Sequence, residues 1–204
     1  KSKLAKEICK SYVGQDYQMV TANSDWSTFD TIGGYHPNEE GSLKFEPGIF
    51  LECIKDKITN EPENKWLILD EINRADIDKA FGALFSALTG DKINLSFKAD
   101  NGEGIIIRPQ EDEENSVKPT EHEHIIPKDW RLIATMNTYD KTSLYEMSYA
   151  FMRRFAFIPV PAPKEETIDQ QLVKKYLDIW DIEDRKFSKP VADLWGVINR
   201  FRKV

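Results

Sequence analysis

The sequence predicts an α/β fold: a mainly parallel sheet with flanking helices, an inserted antiparallel hairpin, and the start of a small helical subdomain. Three observations predict it. Apolar runs at Trp66–Leu69, Leu132–Met136 and Phe155–Val160 show little polar alternation, the pattern of strands covered on both faces. Apolar stripes at helical spacing stand between the runs. Pro159, Pro161 and Pro163 then interrupt the chain before two further helical stripes. Strands that alternate with helices pair in parallel through crossovers.

Taken in order, Leu4, Ile8 and Tyr12 mark a first helix, closed by Gly14. A short strand follows at Tyr17–Val20. From Asn23 to Gly48 the chain carries Asp25, Asp30, Gly33-Gly34, Pro37, Gly41 and Pro47, which is turn chemistry around short structured pieces. The aromatic residues there, Trp26, Phe29, Tyr35, Phe45 and Phe50, read as packing residues. Ile49, Phe50, Cys53, Ile54 and Ile58 predict a helix that Asn60, Pro62 and Asn64 end. After the Trp66–Leu69 strand, Ile77, Ala80, Phe81, Leu84, Phe85 and Leu88 form a strong helical stripe stopped by Gly90. Ile93, Leu95 and Phe97 alternate, Gly104–Arg108 does so more weakly, and Asp100-Asn101-Gly102 lies between them. That is an antiparallel hairpin. Gln110–His124 is acidic and polar and reads as a loop. Past the prolines, one helix holds Ile168, Leu172, Tyr176 and Leu177, and another holds Val191, Leu194, Trp195, Ile198 and Phe201. The expected division is a large α/β subdomain over 1–161 and a helical one from 162 to 204.

Composition narrows the classes. At 204 residues, with 40% hydrophobic and 31% charged residues, the chain can bury a core and is not a disordered segment. A net charge of −7 counts against a broad nucleic-acid-coating surface. Cys9 and Cys53 are too few for a disulfide framework, so a reducing, cytoplasmic setting is expected. No stretch approaches the roughly 18 apolar residues of a membrane span, and no signal peptide is expected. The chain opens on Lys1 instead of Met, as a fragment or a processed form would.

The chemistry concentrates where apolar runs end. Ligands of open parallel sheets bind outside the carboxyl ends of the strands. Trp66-Leu67-Ile68-Leu69-Asp70-Glu71 delivers two acids there, on opposite sides of the strand. Asp70 suits Mg²⁺, a cation that prefers oxygen ligands and keeps part of its water. Glu71 suits the polarisation of a water that attacks a terminal phosphate. The alternative is a solvated acidic turn after a core strand. Lys1-Ser2 before a helix would be the natural end of a phosphate loop, with the lysine reaching the terminal phosphates and the serine hydroxyl the Mg²⁺; the alternative is a solvent-exposed terminus. Arg131–Thr138 places Asn137 at a second strand end, where its amide can hold a phosphate or the attacking water, or simply cap the next turn. Asp140 serves that turn or a neighbouring subunit. Arg153-Arg154 stand at a strand entrance, suited to a phosphate bound by an adjacent subunit or to surface ion pairs.

Together these segments resemble the AAA+ nucleotide hydrolases of the McrB and MoxR branches. Leu67-Ile68-Leu69-Asp70-Glu71-Ile72-Asn73-Arg74-Ala75 is similar to their second phosphate-site motif. Ala134-Thr135-Met136-Asn137-Thr138, with Asp140, is similar to the sensor-one segment, and Ala150-Phe151-Met152-Arg153-Arg154-Phe155 to the arginine-finger segment. Asp30–Gly34 and Phe45–Phe50 resemble the element these branches insert between early strands. The resemblance runs in order to about Pro161. It implies that Lys1 and Ser2 end a phosphate loop truncated in this chain, that Asp70 is the magnesium-site acid, that Glu71 is the catalytic carboxylate and that Asn137 is the sensor. It also implies that Arg153 or Arg154 acts across a subunit interface, with Arg74 and Asp140 near that interface.

The activity implied is Mg²⁺-dependent hydrolysis of a nucleoside triphosphate, ATP favoured and GTP open. A homo-oligomeric ring would use it for remodelling or nucleic-acid restriction, beside a nuclease or a substrate protein. Hydrolysis is expected of the native-length protein and not of these 204 residues alone. The rival readings are a scaffold or regulatory subunit that keeps the fold, and a DNA-binding module without enzymatic role. Tyr139 and Lys141-Thr142 depart from the commoner residues around Asp140, and the second sensor arginine is expected beyond Val204, with Arg200 and Arg202 as weaker substitutes. Glu121-His122-Glu123-His124, His36 and Glu111-Asp112-Glu113-Glu114 read as solvated loop residues. Cys9 and Cys53 read as small buried hydrophobes.

Overall fold

The computed structural model describes residues 1–12, 16–111, 118, 120–137, 145–161, 163–164 and 167–201. Lys1–Ala156 and Phe157–Val204 form two compact units.

The first unit is organised by strand β4 (Trp66–Asp70), flanked by β1 (Tyr17–Thr21) and β8 (Leu132–Ala134), all parallel. The register places Asp70 beside Thr21 and Leu69 beside Ala134, so three strands end polar at one edge. The unbroken apolar run of β4 has its reason in the packing. Leu67 and Leu69 enter the main core, with Phe50, Phe81, Ile107 and Trp130. Trp66 and Ile68 point the other way, against Ala5 and Cys9 of helix α1 (Ser2–Ser11). Alternate residues of one strand thus fill two cores. At the opposite edge two indoles clasp the sheet. Trp66 Nε1 donates to Asp129 O at 2.8 Å and Trp130 Nε1 donates to Lys65 O at 2.6 Å.

Helix α1 forms where the spacing predicts it, but its buried face is Ala5 and Cys9; Leu4, Ile8 and Tyr12 are exposed. The small residues let the helix axis approach β4, which larger side chains would prevent. Between β1 and β4, helix α2 (Thr28–Thr31) starts on a Ser27–Asp30 capping box and leads into an antiparallel pair, β2 (Gly33–Pro37) and β3 (Leu43–Pro47). Gly33 has φ +127°, and a Cβ there would lie 2.2 Å from Glu46 O; a Cβ on Gly48 would lie 2.6 Å from Asp30 O. Both glycines permit a backbone approach that no side chain allows. Helix α3 (Ile77–Phe81), capped by Asp76, continues the core stripe. A second sheet joins β5 (Ile93–Lys98) antiparallel to β6 (Gly104–Pro109), and β6 parallel to β7 (Glu123–Ile126). Helix α4 (Tyr149–Met152) closes the unit on a Ser148 cap.

Several expectations are corrected. Ile49–Ile58 is a single 3₁₀ turn at Leu51–Cys53, and Ile58 is 90% exposed; Asp56 binds the Ile58 and Thr59 amides, which turns the chain early. The Ile77–Leu88 stripe is a short helix followed by two 3₁₀ turns, ended by Gly90 at φ +96°. Phe155–Val160 is not a strand: Ile158 is 79% exposed and Pro159 has no N–H to offer a ladder. Of the expected loop Gln110–His124, residues 112–117 and 119 lie outside the described residues and the last two enter β7, where His124 is only 5% exposed. Cys9 and Cys53 are fully buried, and burial pushes the Cys53 thiol up to about 12. In the second unit, α5 (Gln170–Ile179) and α6 (Ser188–Phe201) pack through Tyr176 against Trp195, and Gln170 Nε2 donates to Ser188 Oγ at 2.9 Å. Among the described residues, no helix is long and apolar enough to cross a membrane.

Lys55, in the segment between the Leu51–Cys53 turn and β4, ties that segment to the start of β7. It is 6% exposed, and its ammonium donates to the carbonyls of Thr120, Glu121 (2.8 Å) and Glu123 (3.1 Å). Burial lowers its pKa from the ordinary 10.5 to about 8. Lys55→Met leaves three carbonyls without their donor and is expected to cost about 1–3 kcal/mol. The folded protein releases this proton near pH 8 and the unfolded chain only near 10.5, so the group adds stability as pH rises between them. Denaturant unfolding at pH 7.5 and pH 10 should therefore show the gap between wild type and Lys55→Met widening with pH.

Candidate functional site

Three elements meet at the polar edge of the β1-β4-β8 sheet. Asp70 ends β4, half-buried, and its Oδ1 accepts two hydroxyl hydrogen bonds: from Ser2 Oγ at 2.6 Å and from Thr135 Oγ1 at 2.5 Å. Ser2 opens α1, so the first amides of a ten-residue helix face the same edge, and no side chain caps them. Lys1 Nζ donates to Met136 O at 2.7 Å, across the edge just beyond β8.

Glu71 adopts a left-handed backbone conformation, φ 53° and ψ 45°. This is uncommon for a residue with a side chain. Its amide donates to Thr135 Oγ1 at 3.2 Å, while Ile72 N donates to Thr135 O and Thr135 N donates to Leu69 O, both at 2.9 Å. The bend turns the chain out of β4 into the 3₁₀ turn Ile72–Arg74, and Arg74 Nε meets Glu71 Oε2 at 2.9 Å. Asn73 is buried, and its Nδ2 donates to Asn137 O at 3.1 Å. Asn137 itself is exposed at this edge.

The edge therefore gathers Lys1, Ser2, Asp70, Glu71 and Asn137. Sequence reasoning missed Thr135 and Asn73. A polar residue at the end of an otherwise apolar run was the available signal, because a buried hydroxyl or amide must find partners. Asp140 and Arg202 lie outside the described residues. The two arginines that follow α4 part company. Arg154 Nε donates to Phe85 O at 2.6 Å, its other end binds Ala150 O, and its guanidinium lies 5.0 Å from the Phe85 ring centre. Arg153 is exposed.

The donors at this edge suit Mg²⁺. A serine hydroxyl and a single carboxylate are hard oxygen ligands, and among the described residues no group of three or more His, Cys, Asp or Glu forms a closed cage. Mg²⁺ is usually held by one or two protein oxygens plus water and phosphate.

The contrast between the arginines is testable by thermal or denaturant unfolding. Arg154→Ala strips a donor from Phe85 O and should cost about 1–2 kcal/mol. Arg153→Ala should stay within about 0.5 kcal/mol of wild type.

Over 147 residues the chain is 34% identical to the type IV methyl-directed restriction enzyme EcoKMcrB subunit of Escherichia coli K12, covering 72% of this chain and 28% of that protein. Over 165 residues it is 27% identical to the type II restriction enzyme BsuMI component YdiS of Bacillus subtilis 168, covering 79% of this chain and 42% of that one. The chain thus spans less than half the length of either relative. A solved structure from Cytophaga hutchinsonii aligns over 91% of this chain and 44% of its own, at 15% identity and a TM-score of 0.48. Residues 1–155 match the family model of the AAA domain, dynein-related subfamily, and the chain belongs to that family.

Proposed function

We propose that the protein carrying this chain is a Mg²⁺-dependent nucleoside triphosphate hydrolase, with ATP the favoured substrate and GTP open. The observation that carries the reading is the meeting of Ser2 and Asp70 oxygens at 2.6 Å on the carboxyl edge of a parallel sheet, with Glu71 next in the chain. Bound Mg²⁺ would neutralise phosphate charge there.

The chain's own residues do the rest. Lys1 supplies a mobile positive charge for the terminal phosphate, exchanging Met136 O for a phosphate oxygen. The first turn of α1 offers amides and the positive end of its dipole. Glu71 takes the role of orienting and polarising the attacking water, for which its carboxylate must turn from Arg74. Asn137 is exposed at the same edge and suits the sensing of the terminal phosphate. Arg153 is the better candidate for a neighbouring subunit's phosphate, because Arg154 is committed to Phe85 and Ala150. Arg74 and Asp140 are proposed at that interface. A homo-oligomeric ring follows from an arginine that acts in trans. Both relatives are described as parts of restriction enzymes, which supports a nuclease partner and a role in nucleic-acid restriction over protein remodelling.

Glu71→Gln keeps shape and removes the charge. Phosphate release by the native-length protein, with ATP and GTP in parallel, should fall by about 10²-fold or more while nucleotide binding persists. Wild-type turnover in that variant would exclude the role. Mixing Arg153→Ala with Glu71→Gln subunits should restore part of the activity, since one mixed interface regains both groups. Absence of recovery in rings shown to be mixed would argue against action in trans.

A further inference from the structure

We infer that Thr135 is a positioning residue whose hydroxyl aims the Asp70 carboxylate at a metal-bound water and holds the Glu71 bend. The inference rests on the reading of this edge as a Mg²⁺–nucleotide site. Thr135 is 8% exposed, and a buried hydroxyl that packs in an apolar strand end is costly unless it is bonded. Here it makes both kinds of bond at once. It donates to Asp70 Oδ1 and accepts from the Glu71 amide. Since Oδ1 also receives Ser2 Oγ, two hydroxyls fix the rotation of the carboxylate. Among the described residues no protein group donates to Oδ2, which leaves that oxygen to face solvent or a metal-bound water. The acceptor side of the same hydroxyl stabilises a left-handed residue that has no glycine to make it easy. One oxygen atom therefore couples the orientation of the metal-site acid to the direction in which the adjacent carboxylate leaves the strand. Partners behind a metal ligand commonly change metal affinity or activity by about 10–100-fold when removed.

The test compares Thr135→Val, which keeps the shape and deletes the hydroxyl, with Thr135→Ser, which keeps the hydroxyl. Binding of a fluorescent nucleotide analogue is titrated with Mg²⁺ and repeated in EDTA, using the native-length protein. Thr135→Val should raise the Mg²⁺ midpoint about tenfold or more and leave binding in EDTA unchanged; Thr135→Ser should restore the wild-type midpoint. In the nucleotide-free protein, Thr135→Val should also speed hydrogen exchange at the Glu71 amide by about tenfold, and Thr135→Ser should not. If Thr135→Val does not fold, Thr135→Ala carries the same expectations. An unchanged midpoint in the hydroxyl-free variant, or equal loss in Val and Ser, overturns the inference; equal loss would assign the effect to the methyl group. Asp70→Asn separates the two levels. If Asp70→Asn abolishes the Mg²⁺ dependence and Thr135→Val does not move it, the site reading stands and the inference fails. If Asp70→Asn leaves the Mg²⁺ dependence intact, the site reading fails and takes the inference with it.

Discussion

Strand β4 has to be covered on both faces, and most of the first unit is arranged to cover it. Trp66 and Ile68 require a partner layer on one side, which α1 provides by presenting Ala5 and Cys9. Leu67 and Leu69 require one on the other side, which the aromatic core around Phe50, Phe81 and Trp130 provides. Burying a large apolar side chain contributes about 1.5–3 kcal/mol, so Trp66, Leu67, Ile68 and Leu69 in succession make β4 the strongest local demand for cover. The strand cannot bury its polar ending in the same way. Asp70 and Glu71 are therefore extruded at the edge, and the fold delivers its chemistry as the unburied remainder of its core.

That division explains what could be read from the sequence. The parallel strands at β4 and β8 are legible because a doubly covered strand is written as an unbroken apolar run, and the carboxylates at the end of β4 are legible because they interrupt it. The hairpin of β5 and β6 announces itself through Asp100-Asn101-Gly102. Other segments were hidden by competition between local spacing and tertiary demand. Leu4, Ile8 and Tyr12 give α1 its helical period, yet the residues it buries are Ala5 and Cys9. Phe155–Val160 is apolar enough for a strand, but a proline within the run denies it a ladder. Strand β7 was invisible because Glu123 and His124, with Glu121 and His122 before them, read as solvent-facing. Burial of His124 lowers its pKa to about 3, so it sits neutral in the interior and behaves as a packing residue.

The candidate site was legible in Lys1, Ser2, Asp70, Glu71 and Asn137 and opaque in Thr135 and Asn73. Lys1, Asp70 and Glu71 declare themselves by charge beside an apolar run. Thr135 and Asn73 do not, because a threonine in a strand and an asparagine in a turn are commonplace. Their importance exists only in three dimensions, where one bridges two strand ends and the other ties the turn after Glu71 to Asn137. The arginine pair shows the same limit. Two adjacent guanidinium groups are equivalent on paper, and only the location of the Phe85 carbonyl separates one that is anchored from one that is available.

The two indole contacts at the far edge carry a mechanical consequence. Trp66 and Trp130 each reach across to the backbone that precedes the other's strand, so the bonds cross like the two halves of a buckle. Sliding β4 against β8 by one residue would open both at once and would also turn every side chain of the moved strand to the wrong face. Intermediate positions are therefore excluded, and the pair responds to a pull as one ribbon. A displacement applied at the Asn137 end would travel to Asp70 without slack, and the fastened edge would serve as its fixed point.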